Sequence, residues 1–184
     1  YDGPRIAFKD QIEDPLNHPF ETPSGKIEIF SKRLYDMNHN EIPAIPIYIP
    51  EWEGAEDPLK EKFPLQCITW KGRNRTNSMY ANHPWLKEVA EQVLWINPAD
   101  AEQRGIKKGD KVKIYNNRGI VLIPAEVTTR IMPGVVAMQA GAWYKPDKNG
   151  VDPGGCANVL TSQRITPLAK GNAHQTMLVE VQKG

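Results

Sequence analysis

The chain has 184 residues, 23 Lys+Arg against 22 Asp+Glu, a formal net charge of +1, and 40% hydrophobic and 24% charged residues. This composition excludes intrinsic disorder, which needs few apolar residues and a large charge imbalance, and it offers no overall field to attract nucleic acid or an anionic membrane. No apolar run reaches the roughly 20 residues that cross a bilayer, so neither a nucleic acid partner nor direct membrane insertion is expected.

The chain begins at Tyr1 instead of Met, without a basic stretch followed by an apolar one, and reads as a piece of a longer protein. Its 16 prolines exceed the usual share of about 5% and crowd toward the N-terminal third. Residues 1–62 are therefore predicted to be a Pro-rich extension instead of a compact domain. Within it, residues 1–23 read as irregular, and TPSGKIEIFSKRL predicts a turn at Ser24 and Gly25 followed by an alternating strand over 26–30. Pro43, Pro46, Pro50 and Pro58 force extended backbone, so residues 42–58 read as a semi-rigid linker, with Glu51, Glu53, Glu56 and Asp57 as solubilising charges.

The texture changes at Phe63. PLQCITW predicts a short apolar strand that ends in a cationic loop, KGRNRTNS. A short helix over 84–90 and a strand over 93–96 follow. Asn97 as cap, Pro98 at the first helical position, Asp100 in the first turn and Gly105 as the stop mark the next helix. DKVKIYNNRGIVLIPAEVT predicts a hairpin, with Val112 and Ile114 alternating against Lys111, Lys113 and Tyr115 and a turn over 116–119. A hydrophobic strand over 135–138 and a last one over 177–181 complete the pattern. Several short strands with few helices predict a small barrel or sandwich with helical insertions. Residues 141–176 show little periodicity, and a stretch of that kind inside a compact domain is usually functional.

The motifs carry little catalytic chemistry. There is no GxSxG, and His18, His39, His83 and His174 fall in no catalytic pattern, so no catalytic residue is assigned. Cys67 and Cys156 have no CxxC spacing, no metal-ligating residue is assigned, and both cysteines read as small apolar side chains. Neither GxGxxG nor GxxxxGK[ST] occurs. Binding chemistry is better represented. Lys71, Arg73 and Arg75 alternate in one loop, where two guanidiniums and an ammonium can converge on a phosphate, although three surface cations are more often simply solvated. In the long stretch, Asn158, Thr161, Asn172, His174, Gln175 and Thr176 supply neutral donors and acceptors suited to a heteroaromatic ring, and Gly154, Gly155 and Gly171 admit close backbone approach. Trp143 and Tyr144 either stack on a ring or plug the barrel mouth.

The ordered set TPSGKIEIFSKRL, YIPEWEG, PLQCITWKGRNRTNS, LWINPADAEQRGIKKGDKVKIYNNRG, IMPGVVAMQAGAWYKPD and GGCANVLTSQRITPLAKGN covers most of the chain. In that order it resembles the C-terminal part of the catalytic chain of anaerobic dimethyl sulfoxide reductases, in the molybdopterin oxidoreductase family. The resemblance implies a mainly β fold, a double-psi β-barrel over 63–184 that closes over a bis(molybdopterin guanine dinucleotide) molybdenum cofactor, preceded by the exit from another domain. By position it places Trp70, Lys71, Gly72, Arg73, Arg75, Thr76 and Ser78 at the cofactor, with Asn158, Leu160 and Thr161, and with Asn172, His174, Gln175 and Thr176. Asn77 stands where many relatives carry His, and Asn cannot titrate.

The same resemblance implies a parent that reduces S-oxides or N-oxides in anaerobic respiration. Its partners would be the upstream domains, an iron–sulfur electron-transfer subunit and a membrane anchor subunit, and it would lie in the periplasm or on the outer face of a bacterial cytoplasmic membrane. The fragment alone is expected to be non-catalytic and to hold cofactor weakly or not at all, because half a pocket no longer offsets the cost of fixing the ligand. The rival expectation is a barrel of the same fold that serves as a protein- or substrate-binding module without cofactor.

Overall fold

Alternation of side chains decides the strands. A computed structural model describes residues 3–184 and divides them into two compact units, one ending at Ile49 and the other spanning Pro50–Gly184. In the first unit the regular elements are two short helices, α1 (Lys9–Glu13) and α2 (Lys32–Asp36). The strand expected over 26–30 does not form. Side chains there take up the backbone locally: the Thr22 hydroxyl donates to the Lys26 carbonyl at 2.6 Å and the Ser24 amide donates to the Glu28 carboxylate at 3.0 Å. Such bonds compete with a ladder that has no partner strand to form against.

The second unit holds seven strands: β1 (Leu65–Trp70), β2 (Leu94–Ile96), β3 (Lys111–Tyr115), β4 (Ile120–Val127), β5 (Val135–Gln139), β6 (Val151–Asp152) and β7 (Met177–Lys183). Helices α3 (Pro84–Val89) and α4 (Pro98–Gln103) lie between β1 and β3, and α4 starts as its sequence dictates, with the Asn97 side chain accepting from the Ala99 amide at 3.0 Å. Hydrogen bonding runs in the order β2-β5-β1-β7-β3-β4-β6, and β4 also pairs with β2, so six strands close on themselves while β6 hangs on β4. The pairs β1 with β5 and β2 with β4 are parallel, the remaining barrel pairs antiparallel. This is a double-psi β-barrel, as the sequence resemblance implies.

Every second residue points inward. Leu65, Cys67, Leu94, Ile96, Val112, Ile114, Val121, Ile123, Met138 and Met177 are essentially without solvent contact and form one core. Each fully buried aliphatic side chain of this kind stabilises the fold by about 1.5–3 kcal/mol.

The strand directions also fix where the loops go. The C-terminal ends of β1, β3 and β5 and the N-terminal ends of β2, β4 and β7 share one mouth of the barrel, as their pairing registers require. Residues 71–93, 116–119 and 140–176 all emerge there. Every candidate site residue named above lies at this mouth or at the strand ends beside it.

Candidate functional site

The cationic loop leaves β1 at Trp70, whose ring stacks on Trp95 of β2 with centroids 4.2 Å apart. The Arg130 guanidinium sits 5.6 Å over the Trp95 ring. Trp70, Lys71 and Arg73, with Trp95, Arg130 and Gln139, line a cleft of about 680 Å³. Lys71 donates to the Asn77 side-chain oxygen, so these two residues tie the loop across itself. Gly72 is packed under Gln139: a Cβ there would lie 2.8 Å from the Gln139 side-chain oxygen. Thr76 and Ser78 contribute carbonyls, accepting from the Met79 amide at 3.0 Å and from the Trp143 indole N–H at 2.7 Å. Trp143 thus anchors the loop from outside, while Tyr144 stays exposed.

Arg75 takes a different direction from Arg73 and enters a second, smaller cavity of about 250 Å³ beside Gln92, Trp143 and Gly154. Its Nη2 donates to the Gln92 side-chain oxygen and, at 2.6 Å, to that of Gln139. Gln92 in turn donates to the Gln139 carbonyl at 2.8 Å and the Gly155 carbonyl at 3.0 Å. One carboxamide therefore links the end of β5, the 153–156 loop and the cation. Both acceptors of the guanidinium are neutral, its Nε has no partner, and burial lowers its pKa.

The long loop is ordered by Asp152, which is fully buried. Its carboxylate accepts from the amides of Lys145 at 3.0 Å, Gly154 at 2.9 Å and Cys156 at 2.7 Å. The following single turn, Ala157–Val159, leads to Leu160, whose side chain lies in the core and whose carbonyl accepts from Asn116 Nδ2 at 2.9 Å and Arg118 Nε at 2.8 Å. Thr161 donates to the Asn158 carbonyl at 3.0 Å. Gln175 reaches back to the end of β1, accepting from the Thr69 amide at 2.9 Å. Asn158, Asn172 and His174 are exposed, Thr176 is half-buried, and none of these four lines the two clefts. Ile165 and Asn172 pair as an isolated bridge that folds the 165–172 segment on itself.

A phosphate-bearing ligand fits the donor set at this mouth. A half-buried guanidinium with neutral partners and a free N–H lacks a counter-charge, and Lys71 and Arg73 stand at the neighbouring cleft. The buried thiol of Cys67 is pushed up to about 12 by burial and supplies no ligand. Among the described residues no group of three or more His, Cys, Asp or Glu side chains could hold a metal ion.

Sequence reasoning picked out the cations and missed what positions them. Gln92, Gln139 and Asp152 carry no motif, and only their places at or beside strand ends, with Asp152 just before Gly154 and Gly155, mark them. Glu53, expected as a solubilising charge, is buried and pairs with Arg118.

The chain belongs to the molydopterin dinucleotide binding domain family, whose model matches residues 65–178. It is 50% identical to dimethyl sulfoxide reductase DmsA of Escherichia coli strain K12, over 98% of this chain and 23% of that protein. It is 40% identical to the trimethylamine-N-oxide reductase of Haemophilus influenzae, over 97% of this chain and 22% of that protein. The chain thus spans about a quarter of the length of these relatives. Among solved structures, acetylene hydratase from Pelobacter acetylenicus shares the fold with a TM-score of 0.75 at 17% identity, over 93% of this chain and 25% of its own.

Proposed function

We propose that this chain is the cofactor-enclosing C-terminal domain of a molybdenum-dependent S-oxide or N-oxide reductase, and that its barrel mouth holds a bis(molybdopterin guanine dinucleotide) cofactor. The observation that carries the reading is Arg75: a guanidinium drawn into the barrel mouth, held through Nη2 by two neutral carboxamides, with its Nε–H buried and without a partner. When bound, the cofactor supplies the two-electron change by which oxygen leaves the sulfoxide or N-oxide, and the protein supplies binding and orientation.

Arg75, Lys71 and Arg73 are the residues that would hold phosphate, with Trp70, Gly72, Thr76 and Ser78 shaping the loop around them. Asn158, Leu160 and Thr161 would meet the ligand from the second loop, and Asn172, His174, Gln175 and Thr176 from the third. Functionally the barrel proper is residues 63–184 and the preceding 62 residues are the extension, of which 50–62 fold with the barrel. Upstream domains, an iron–sulfur subunit and a membrane anchor would complete the enzyme. The relatives' names do not favour the rival reading of a cofactor-free binding module.

The test is to produce the full-length polypeptide anaerobically and measure molybdenum and released guanine nucleotide, beside Arg75→Ala. The reading expects about two guanine nucleotides per metal in the parent and a clear loss in the folded variant. A parent with neither metal nor nucleotide would sink it.

A further inference from the structure

Glu53 is an unusual residue for a Pro-rich strap. It is 8% exposed, and its backbone sits at φ 55, in the left-handed region that costs a non-glycine residue of order 1 kcal/mol unless the surroundings impose it. The surroundings here are specific. Its two carboxylate oxygens accept from Nη1 and Nη2 of Arg118 at 2.8 and 2.7 Å, a bidentate pair, and Oε2 also accepts from the Leu178 amide at 3.0 Å.

Arg118 does not stop at Glu53. Its Nε donates to the Leu160 carbonyl at 2.8 Å, and Asn116 Nδ2 donates to the same carbonyl and to that of Leu178 at 3.2 Å. β3 ends at Tyr115, so past that point β7 has lost its ladder partner on this side. The Glu53 carboxylate and the Asn116 carboxamide stand in for the missing strand at Leu178, one taking its N–H and the other its C=O. One residue before Glu53, the Trp52 ring lies 3.7 Å beneath the Arg164 guanidinium. The strap therefore grips residues 158–164 at two places, and neither grip reaches the clefts.

We infer that Glu53, through Arg118, is a positioning residue that holds the 158–161 loop and the start of β7 in the form that meets the cofactor. A buried carboxylate that bridges a guanidinium and a strand amide sets the loop's height above the barrel without using the loop's own side chains, and Asn158 stays exposed to face a ligand. The inference rests on the proposal that Asn158 and Thr161 face cofactor.

The experiment uses the full-length polypeptide with Glu53→Gln, Glu53→Ala and Glu53→Ala combined with Arg118→Ala, read by guanine nucleotide content and by hydrogen exchange of the Leu178 amide and of residues 159–161. Glu53→Gln keeps the shape and an acceptor oxygen, and its thermal midpoint reports whether the barrel persists. The expected result is a folded Glu53→Gln with nucleotide content down about tenfold, the scale seen when an outer partner of a binding residue is removed, and with faster exchange at 159–161 and 178. The double variant is expected to stay low, because the loop has lost both ends of its brace. Wild-type nucleotide content and exchange in Glu53→Gln and Glu53→Ala overturn the inference, and so does recovery in the double variant, which would trace the loss to a stranded guanidinium. If the unaltered parent holds no nucleotide, the cofactor reading fails, and unchanged exchange at 159–161 in Glu53→Ala then removes the positioning role as well.

Discussion

Gly141, just past β5, lies directly against the backbone of Asn77: a Cβ at position 141 would overlap the Asn77 carbonyl and come within 3.2 Å of the Ser78 amide nitrogen. The two backbones touch because the cationic loop must fold down onto the end of β5 for Arg75 to reach Gln139. Gly141 also has φ +90, a conformation open to glycine and strained for any other residue.

Gly141→Ala is therefore expected to combine backbone strain with an overlap against backbone that cannot swing away. The expected cost is at least about 2 kcal/mol, accompanied by release of the 71–78 loop. Urea denaturation measures the first effect and exchange at the Met79 amide the second. An unchanged midpoint with unchanged exchange would show that the loop has room the packing denies.

Arg75 separates binding from stability. Its removal strands the Gln92 and Gln139 oxygens but also relieves a half-buried cation of its desolvation, so Arg75→Met is expected to shift stability by less than about 1 kcal/mol. Arg75→Lys keeps the charge but replaces the planar guanidinium, whose Nη2 serves both acceptors, with a compact ammonium. Both variants are expected to lower guanine nucleotide content in the full-length polypeptide, Met more than Lys. Equal nucleotide content in all three would remove Arg75 from the binding site.

Asp152 organises the long loop by accepting three amides from a fully buried position. Asp152→Asn turns an N–H toward donors and strands at least one of them, at a cost of about 2–4 kcal/mol. Calorimetry of the variant checks the magnitude. Protease cleavage within 145–156 is expected to accelerate before any other site.

Asp110 supplies a pH signature. The Lys107 amide donates to its carboxylate at 2.8 Å, and Lys183 stands 2.9 Å away. The backbone hydrogen bond from Lys107, followed by Lys183, holds the carboxyl below its ordinary range. A depressed folded pKa stabilises the protein above the unfolded value of about 3.9, and that contribution is lost as the pH falls through the folded value. Asp110→Asn is expected to lower the urea midpoint near neutral pH, with the gap closing as the medium is acidified below about pH 4. A gap independent of pH would assign the loss to shape instead of charge.

Cys67 is without solvent contact and its thiol is pushed up to about 12 by burial. It is expected to resist alkylation near pH 8 until the barrel unfolds. Mass spectrometry of the native protein should find Cys156, which is only half-buried, labelled first.

Much of the barrel was legible in advance because its signals are local. Val112 and Ile114 alternate with polar neighbours over a few residues, and Asn97 followed by Pro98 caps a helix through atoms two residues away. The strands predicted at 64–70, 111–115 and 135–138 accordingly appear as β1, β3 and β5, to within a residue. The strand expected over 26–30 failed for the complementary reason. Alternation describes a strand's face, but a strand also needs an edge to bond to, and local side chains claimed that backbone first.

Taken by itself, the sequence determined the residue types that can act: the cations of the first loop, the polar set of the long stretch, the alternating core, and the ordered motifs that carry the family. The tertiary structure alone decided which of them meet. Gln92 bonds the Gln139 carbonyl 47 residues away, and Glu53 bonds Arg118 across 65. No periodicity or turn signal encodes such contacts, since propensity and patterning are set within a few residues whereas these bonds exist only once β4 has closed on β2. Closure turned one of three alternating cations inward to a neutral cradle and left the other two facing the open cleft.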